Sequence, residues 1–187
     1  MILETDVGEA RELAHELLGE LPERWQHTAG VARCAEAVAG TVPIGDVPVL
    51  LAAAWLHDIG YAPPLHDSGF HPLDGARHLL ARNWPIRLAG LVAHHSEARC
   101  VADRRGLGAA LAAFPRENSP VTDALTYADQ SVGPYGRPMT FDERLDDMLR
   151  RHGPASPNAA AHAERAPRLR AAVQRVQERL AGTGPAA

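Results

Sequence analysis

The residues of this sequence best suited to chemistry are the adjacent pair His57 and Asp58. They close a run from Val47 to Leu56 that carries almost no polar side chain, and a helix that is apolar on every side is a buried helix. Gly60 is expected to stop that helix in the left-handed conformation. A buried imidazole and carboxylate need partners or a metal ion to offset their lost hydration. Taken alone, however, the pair is also typical of a hydrogen-bonded helix end.

Other histidines among the ten in the chain are candidate ligands. His27 lies in a helical pattern with apolar neighbours one turn on, so its side chain should face the interior, although a lone core histidine is usually just hydrogen-bonded. His71 precedes Pro72 and is therefore expected at an N-cap position, outside helical geometry. His94 and His95 are consecutive on a predicted helix, about 100° apart, so at least one of them should point inward.

One downstream carboxylate completes the set. Asp129 lies near the end of an apolar helical face that includes Leu125. The alternative is a surface carboxylate at a helix C-terminus, which the helix dipole slightly disfavours.

The elements that must position these residues are helices. The hydropathy pattern is helical almost throughout, with no alternating strand pattern and no internal repeat. The predicted helices cover approximately residues 6–18, 22–38, 47–56, 72–83, 85–99, 106–114, 119–131 and 140–151, and the last begins near residue 156. Glycines and prolines mark residues 60–70 as a loop, which we expect to be mobile and to act as a lid. The predicted fold class is all-α, in a single domain.

Composition narrows the functional classes. The 19 basic residues are all arginine, so no lysine is available for a Schiff base or a Walker-type phosphate loop. The net charge of −4 argues against a nucleic-acid-binding protein, which usually has a basic face. Cys34 and Cys100 form no ligand or redox motif, and no signal peptide or membrane-spanning run is recognised. These features predict a cytoplasmic protein without a membrane partner.

The order of His27, His57-Asp58 and Asp129 resembles that of the HD superfamily of metal-dependent phosphohydrolases. The resemblance covers about residues 22–150 and implies a single-domain HD-type helical bundle around a buried metal site. We therefore predict one domain over residues 1–187, with the metal-binding core over 22–150 and a C-terminal helical extension over 151–187.

A closer resemblance is to the branch of this superfamily with additional histidines, the HD-GYP type. The run His-Pro-Leu-Asp-Gly from His71 is similar to its His-Pro-x-x-Gly, and His-His-Ser-Glu from His94 to its His-His-x-Glu. The Gly-Tyr-Pro loop of the cyclic-dinucleotide phosphodiesterases is missing after Glu97, which argues against cyclic di-GMP as the substrate. The Glu-Asp pair of the (p)ppGpp hydrolases is also absent, and Tyr61 replaces a lysine common after His-Asp-Ile-Gly.

The resemblance implies a centre of two divalent metal ions. The predicted ligands are His27, His57, Asp58, His71, His94, His95 and Asp129, where His94 and His95 are alternatives for one position. Nitrogen and carboxylate ligands without thiolates suit Mn, Fe, Co, Ni or Zn, with Mg at a harder site. Asp58 has two oxygens and adjoins His57, so it is the expected bridge between the ions. The predicted catalytic residues are Asp58, His57 and His95.

Two such ions would acidify a water and hold both reacting oxygens of a displacement. We therefore expect hydrolysis of a phosphomonoester or phosphodiester, with a nucleotide or small phosphorylated metabolite as substrate. The predicted substrate-binding residues are Arg24, Tyr61, Arg137 and Arg144, although each arginine alone could equally be a solvated surface residue.

Two other functions stay open. The same four histidines and two aspartates resemble the ligands of diiron oxygenases that share this fold. The third interpretation is a non-catalytic protein that binds a nucleotide or a metal. A homodimer is compatible with all three.

Overall fold

The computed structural model describes residues 6–182, and this part of the chain is all-α, without a β-strand. The helices are α1 (Val7–Leu18), α2 (Pro22–Ala37), α3 (Val47–Leu56), α4 (His71–Ala81), α5 (Ile86–His94), α6 (Ala98–Arg104), α7 (Gly108–Leu111), α8 (Pro120–Gln130), α9 (Phe141–His152) and α10 (Pro157–Gly182). Short 3₁₀ turns join several of them. The predicted all-α class is confirmed. The predicted domain division stays a prediction, and residues 1–5 and 183–187 lie outside the described part.

Helix α3 lies at the centre of the core. It packs against α1, α2, α5 and α8, and its consecutive residues Ala52, Ala53 and Ala54 are all fully buried. Because these side chains are small, helices can approach α3 closely from several directions. The apolar run therefore places its last residues in the middle of the molecule, as its composition predicts.

Helix starts follow from local sequence. The Asp6 carboxylate accepts hydrogen bonds from the backbone N–H groups of Gly8 and Glu9 at the start of α1. Thr140 and Glu143 form a reciprocal capping box at the start of α9. Each of these bonds satisfies a donor that the first helical turn leaves unpaired.

Ion pairs between α10 and α8 fix the position of the last helix. Helix α10 packs against α6, α8 and α9. Asp123 of α8 is buried and accepts hydrogen bonds from Arg175 and Arg179 of α10. A buried carboxylate with two arginine partners keeps α10 in place beside the site described below. Within residues 6–182, no helix is long and apolar enough to span a membrane.

The expected role of Gly60 is wrong. Helix α3 ends at Leu56, and a 3₁₀ turn follows at Ile59–Tyr61. Gly60 is not among the glycines with positive φ. A Cβ atom there would lie 2.0 Å from the carbonyl oxygen of His71. The glycine is needed because the backbone after α3 passes directly against the start of α4.

Two predicted helix boundaries also differ. His71 is the first residue of α4 and Phe70 is its N-cap, so His71 is not an N-cap. The helix predicted over 85–99 is broken between α5 and α6, because Ser96 and Glu97 have φ angles of 48° and 55°. Left-handed conformations are costly for residues with a side chain. This break lies next to His95.

Candidate metal centre

Five helices, α2, α3, α4, α5 and α8, bring the predicted ligands together, either directly or through the residues that follow them. The ligand atoms form two groups, in each of which they lie within 4.8 Å of one another. The first group contains His27 of α2, His57 after α3 and Asp129 of α8, and the second contains Asp58 after α3, His71 of α4 and His95 after α5. All six are among the residues predicted as ligands, and of the alternatives His94 and His95 only His95 belongs to a group.

Asp58 joins the two groups. Its Oδ1 lies 3.3 Å from His71 Nε2 and 3.6 Å from His57 Nε2. Its Oδ2 lies 3.7 Å from His27 Nε2. Because the carboxylate lies near imidazoles of both groups, the side chain is placed to contact two cations at once. This is the arrangement expected of a bridging carboxylate.

The imidazoles present lone pairs to the interior of the site. The Nδ1 atom of His27 lies 3.2 Å from the carbonyl oxygen of Gly133. The Nδ1 atom of His57 lies 2.9 Å from the carbonyl oxygen of Ala54, and that of His95 lies 2.7 Å from the carbonyl oxygen of Val92. A carbonyl oxygen only accepts hydrogen bonds, so each Nδ1 must carry the proton. In the neutral rings Nε2 is then a free acceptor, and such outer hydrogen bonds are typical of metal-binding histidines.

These inward Nε2 atoms lie close enough together to share a cation. His57 Nε2 lies 3.4 Å from His27 Nε2, and His71 Nε2 lies 3.3 Å from His95 Nε2. Burial is the largest cause that lowers the pKa of His95, to about 3, and the neighbouring His57 and His71 lower it further. His95 therefore stays neutral. Nitrogen and oxygen ligands lie about 2.0–2.2 Å from a metal such as zinc, and the spacing of these atoms fits divalent cations.

Both aspartates are held in their charged form. Burial by itself raises the pKa of Asp58, but the adjacent imidazoles of His57 and His71 and the Arg24 guanidinium hold that pKa well below its usual value. Burial also opposes ionisation of Asp129, and contacts with His27 and Arg144 again lower its pKa well below the usual range. Ionised carboxylates are the form that binds a metal ion.

Ser96 and Gln130 orient Asp129, and sequence reasoning missed both. Asp129 Oδ2 accepts hydrogen bonds from the Ser96 hydroxyl and from Gln130 Nε2. Its Oδ1 is left to face His27 Nε2 at 3.3 Å. The left-handed Ser96 thus directs its hydroxyl to Asp129, which explains the break between α5 and α6. The position of Ser96 inside the His-His-Ser-Glu run was the signal that could have identified it.

Arg24 and Tyr61 lie beside Asp58, as predicted for substrate-binding residues. Arg24 Nη1 lies 3.3 Å from Asp58 Oδ2, and its guanidinium lies 3.9 Å from the centre of the Tyr61 ring. Tyr61 also stacks on His71, with ring centres 4.0 Å apart. Burial is the main cause that raises the pKa of Tyr61 to about 12, so its hydroxyl keeps its proton.

The two groups open into a cavity of about 680 Å³. Asp58, His71, His95 and Asp129 form part of its wall. The loop from Gly60 to Phe70 borders the cavity, as its composition suggested, whereas its mobility stays a prediction. Five arginines line the wall, namely Arg24, Arg105, Arg144, Arg151 and Arg165. No sequence signal separated Arg105, Arg151 and Arg165 from the other arginines.

His94 and Arg137 do not lie where the predictions place them. His94 Nε2 lies 3.1 Å from the carbonyl oxygen of Phe114, and His94 belongs to neither ligand group. His94 is the last residue of α5, whereas His95 already leaves helical geometry, so the two side chains point in different directions. Arg137 is exposed and does not line the cavity, because the turn that carries it directs the side chain to solvent.

The sequence pattern of the HD domain family matches residues 24–130. This is more than half of the chain, and the chain therefore belongs to the HD domain family. The family is part of a superfamily of metal-dependent hydrolases. The predicted membership is confirmed, whereas the branch stays a prediction. No curated protein and no solved structure matches the chain significantly.

Proposed function

We propose that this protein is a metal-dependent phosphohydrolase that cleaves a phosphate ester of a small molecule. The observation that carries the proposal is the arrangement of six candidate histidine and aspartate ligands, four of which line an arginine-rich cavity. Guanidinium groups match the oxygens of phosphate in charge and geometry. The additional ligands His71 and His95 support membership of the branch with extra histidines.

The residues present fit two divalent ions. His27, His57 and Asp129 would hold one, His71 and His95 the other, and Asp58 both. When bound, the ions would acidify a water molecule and neutralise the charge of the phosphate. The native metals are among Mn, Fe, Co, Ni, Zn and Mg by the chemistry of the ligands.

The remaining residues of the site bind and orient the ester. Arg24, beside Asp58, is placed to bind a phosphate oxygen, and Arg144 Nη2, 3.6 Å from Asp129 Oδ1, is placed to bind another. The Tyr61 hydroxyl, which stays protonated, can donate a hydrogen bond to the ester or to the departing oxygen. The loop from Gly60 to Phe70 would limit the access of water.

The test is a phosphate-release assay over nucleotides and small phosphoesters. The chain is purified without chelator and analysed for metals, then depleted and reloaded with Mn, Fe, Co, Ni, Zn or Mg in turn. We expect at least one transition metal per chain and release of phosphate that depends on the reloaded ion. A chain that retains no metal after reconstitution under reducing conditions would contradict the proposal.

The second candidate is oxygen activation at a pair of iron ions. The ligand set of four imidazoles and two carboxylates favours it, because both ligand types suit iron. Oxygen consumption by the iron-loaded chain, without release of phosphate from any ester, would support this candidate. Tight binding of a nucleotide without turnover would instead indicate the non-catalytic alternative.

A further inference from the structure

Two arginines of the cavity wall have no carboxylate partner. Arg24, Arg144 and Arg151 each form an ion pair with an aspartate or glutamate. Among the described residues, no carboxylate oxygen lies within 4.0 Å of a guanidinium nitrogen of Arg105 or Arg165. Both residues face the same cavity as the ligand groups. Their charges are therefore available to a ligand.

Arg165 is held in place through one nitrogen only. Its Nε donates a hydrogen bond of 2.8 Å to the carbonyl oxygen of Ser96. Its Nη1 and Nη2 make no hydrogen bond or ion pair with residues 6–182. Burial lowers the pKa of this guanidinium more than the nearby charge of Asp129 raises it, which reflects the cost of partly removing a cation from water. An anion bound at Nη1 and Nη2 would offset that cost.

Arg105 lines the same cavity at the end of α6, which packs against α10, the helix of Arg165. The preceding residues Arg104 and Glu164 form an ion pair of 3.7 Å that joins the end of α6 to α10. The guanidinium of Arg105 lies 5.3 Å from the centre of the Phe70 ring. The apolar ring supports the guanidinium from one face and leaves its N–H edges free to bind an anion.

We propose that Arg105 and Arg165 form a second anion site, which binds a second phosphate group of the substrate. The substrate class is then a small molecule with two phosphate groups, such as a nucleoside diphosphate or bisphosphate. This inference rests on the proposed function for its first phosphate, which binds at the histidine and aspartate groups. The volume of about 680 Å³ lies within the range of pockets that enclose molecules of this size.

The site itself is tested with inorganic phosphate as the probe. Isothermal titration calorimetry of the manganese-loaded full chain at low ionic strength should give two phosphates per chain. Arg105→Gln and Arg165→Gln should each weaken one of them by about tenfold to a hundredfold, the range for a lost hydrogen bond to a charged group. Asp58→Asn should abolish the other and leave the arginine-dependent phosphate bound.

Two matched controls keep this result specific. Arg82→Gln removes an exposed arginine that is the C-cap of α4, as Arg105 is of α6. Arg170→Gln removes an exposed arginine of α10, the helix that carries Arg165. Both controls should bind two phosphates with wild-type affinity. An equal loss in the controls, or a single phosphate that neither cavity variant weakens, would overturn the inference. If Arg165→Gln does not fold, Arg105→Gln with its control decides the question.

The substrate class is tested in the phosphate-release assay. For Arg105→Gln, the ratio of kcat/KM for nucleoside diphosphates and bisphosphates to that for monophosphates should fall about tenfold, as expected for one lost charge-assisted contact. An unchanged ratio would overturn the two-phosphate class. If no ester is hydrolysed while the arginine-dependent phosphate still binds, the proposed function fails and the second anion site stands.

Discussion

At the scale of single residues, Asp58 is the candidate ligand that connects the two groups of the site. It is 3% exposed. It belongs to the second group, and its oxygens also lie 3.6 Å from His57 and 3.7 Å from His27 of the first group. Loss of this carboxylate should therefore affect both positions, whereas loss of another ligand should affect mainly one.

We expect Asp58→Asn to lower activity by two to three orders of magnitude, which is about 3–4 kcal/mol of transition-state stabilisation. The substitution keeps the volume but removes the negative charge and one bridging oxygen, so metal content should also fall. Metal analysis and circular dichroism should show lost metal with unchanged helicity. Asp142→Asn makes the same change at an exposed position and should behave as wild type. Full metal content and turnover in Asp58→Asn would refute the bridging role.

The neighbours His94 and His95 should differ in their effects. His95→Leu should lose metal, because His95 Nε2 faces His71 and Asp58. His94→Leu should keep its metals but lose about 1–3 kcal/mol of stability, because the carbonyl of Phe114 loses its donor inside the protein. Metal analysis and urea unfolding measure the two effects. Depletion of metal by His94→Leu would restore His94 as a ligand.

At the scale of elements, the break between α5 and α6 serves the site at a cost in backbone energy. Two variants of Ser96 distinguish the cost of its left-handed backbone conformation from the contribution of its hydroxyl group. Ser96→Ala and Ser96→Gly both remove the donor to Asp129 and should both weaken metal binding. Only glycine accepts φ of 48° without strain, so Ser96→Gly should be more stable than Ser96→Ala by about 1 kcal/mol. Equal thermal unfolding of the two variants would show that the left-handed conformation is not costly here.

The contact between the turn after α3 and the start of α4 should be equally sensitive. Gly60→Ala places a methyl group against the carbonyl of His71 and should destabilise the fold by about 3 kcal/mol, near the upper end for overpacking. It should also displace His71 and reduce metal content. Gly45→Ala is the matched control, since no atom lies within 4 Å of its added Cβ. Chemical unfolding of both variants measures the difference.

At the scale of the whole molecule, stability without metal should depend on pH in the acid range. The folded-state pKa values of Asp58, Asp129 and His95 are all lowered. The unfolded chain therefore binds more protons, so stability is complete above the unfolded pKa values and is lost as pH falls. The loss should begin near pH 6.5, where the unfolded histidine titrates, and continue below about pH 4, where aspartates do.

This pH dependence can be measured by urea unfolding of the chelator-treated chain at successive pH values. Asp58→Asn should show a smaller loss below about pH 4, because one of the aspartates with a lowered pKa is gone. The free energy of unfolding of Asp58→Asn at neutral pH is the reference for this loss. A free energy of unfolding that rises on acidification would contradict the assigned direction of these shifts.

The amino-acid sequence by itself determined the helical class and most of the candidate metal ligands. Periodicity and helix caps are local properties, so α1, α3 and α9 can be predicted from neighbouring residues. His57 and Asp58 follow from an apolar run that must be buried. His27, His71 and Asp129 follow from their order along the chain and its resemblance to the HD superfamily.

Only the tertiary structure decided the choice between His94 and His95 and the composition of the cavity wall. Both depend on contacts between residues distant in sequence. Ser96 meets Asp129 across 33 positions, and Arg165 meets Ser96 across 69. The left-handed turn at Ser96 is stabilised by these contacts against its own local preference. The hydropathy pattern does not show whether long-range contacts outweigh a local backbone preference. For this reason the sequence predicted one continuous helix over 85–99 and placed Arg137 in the site.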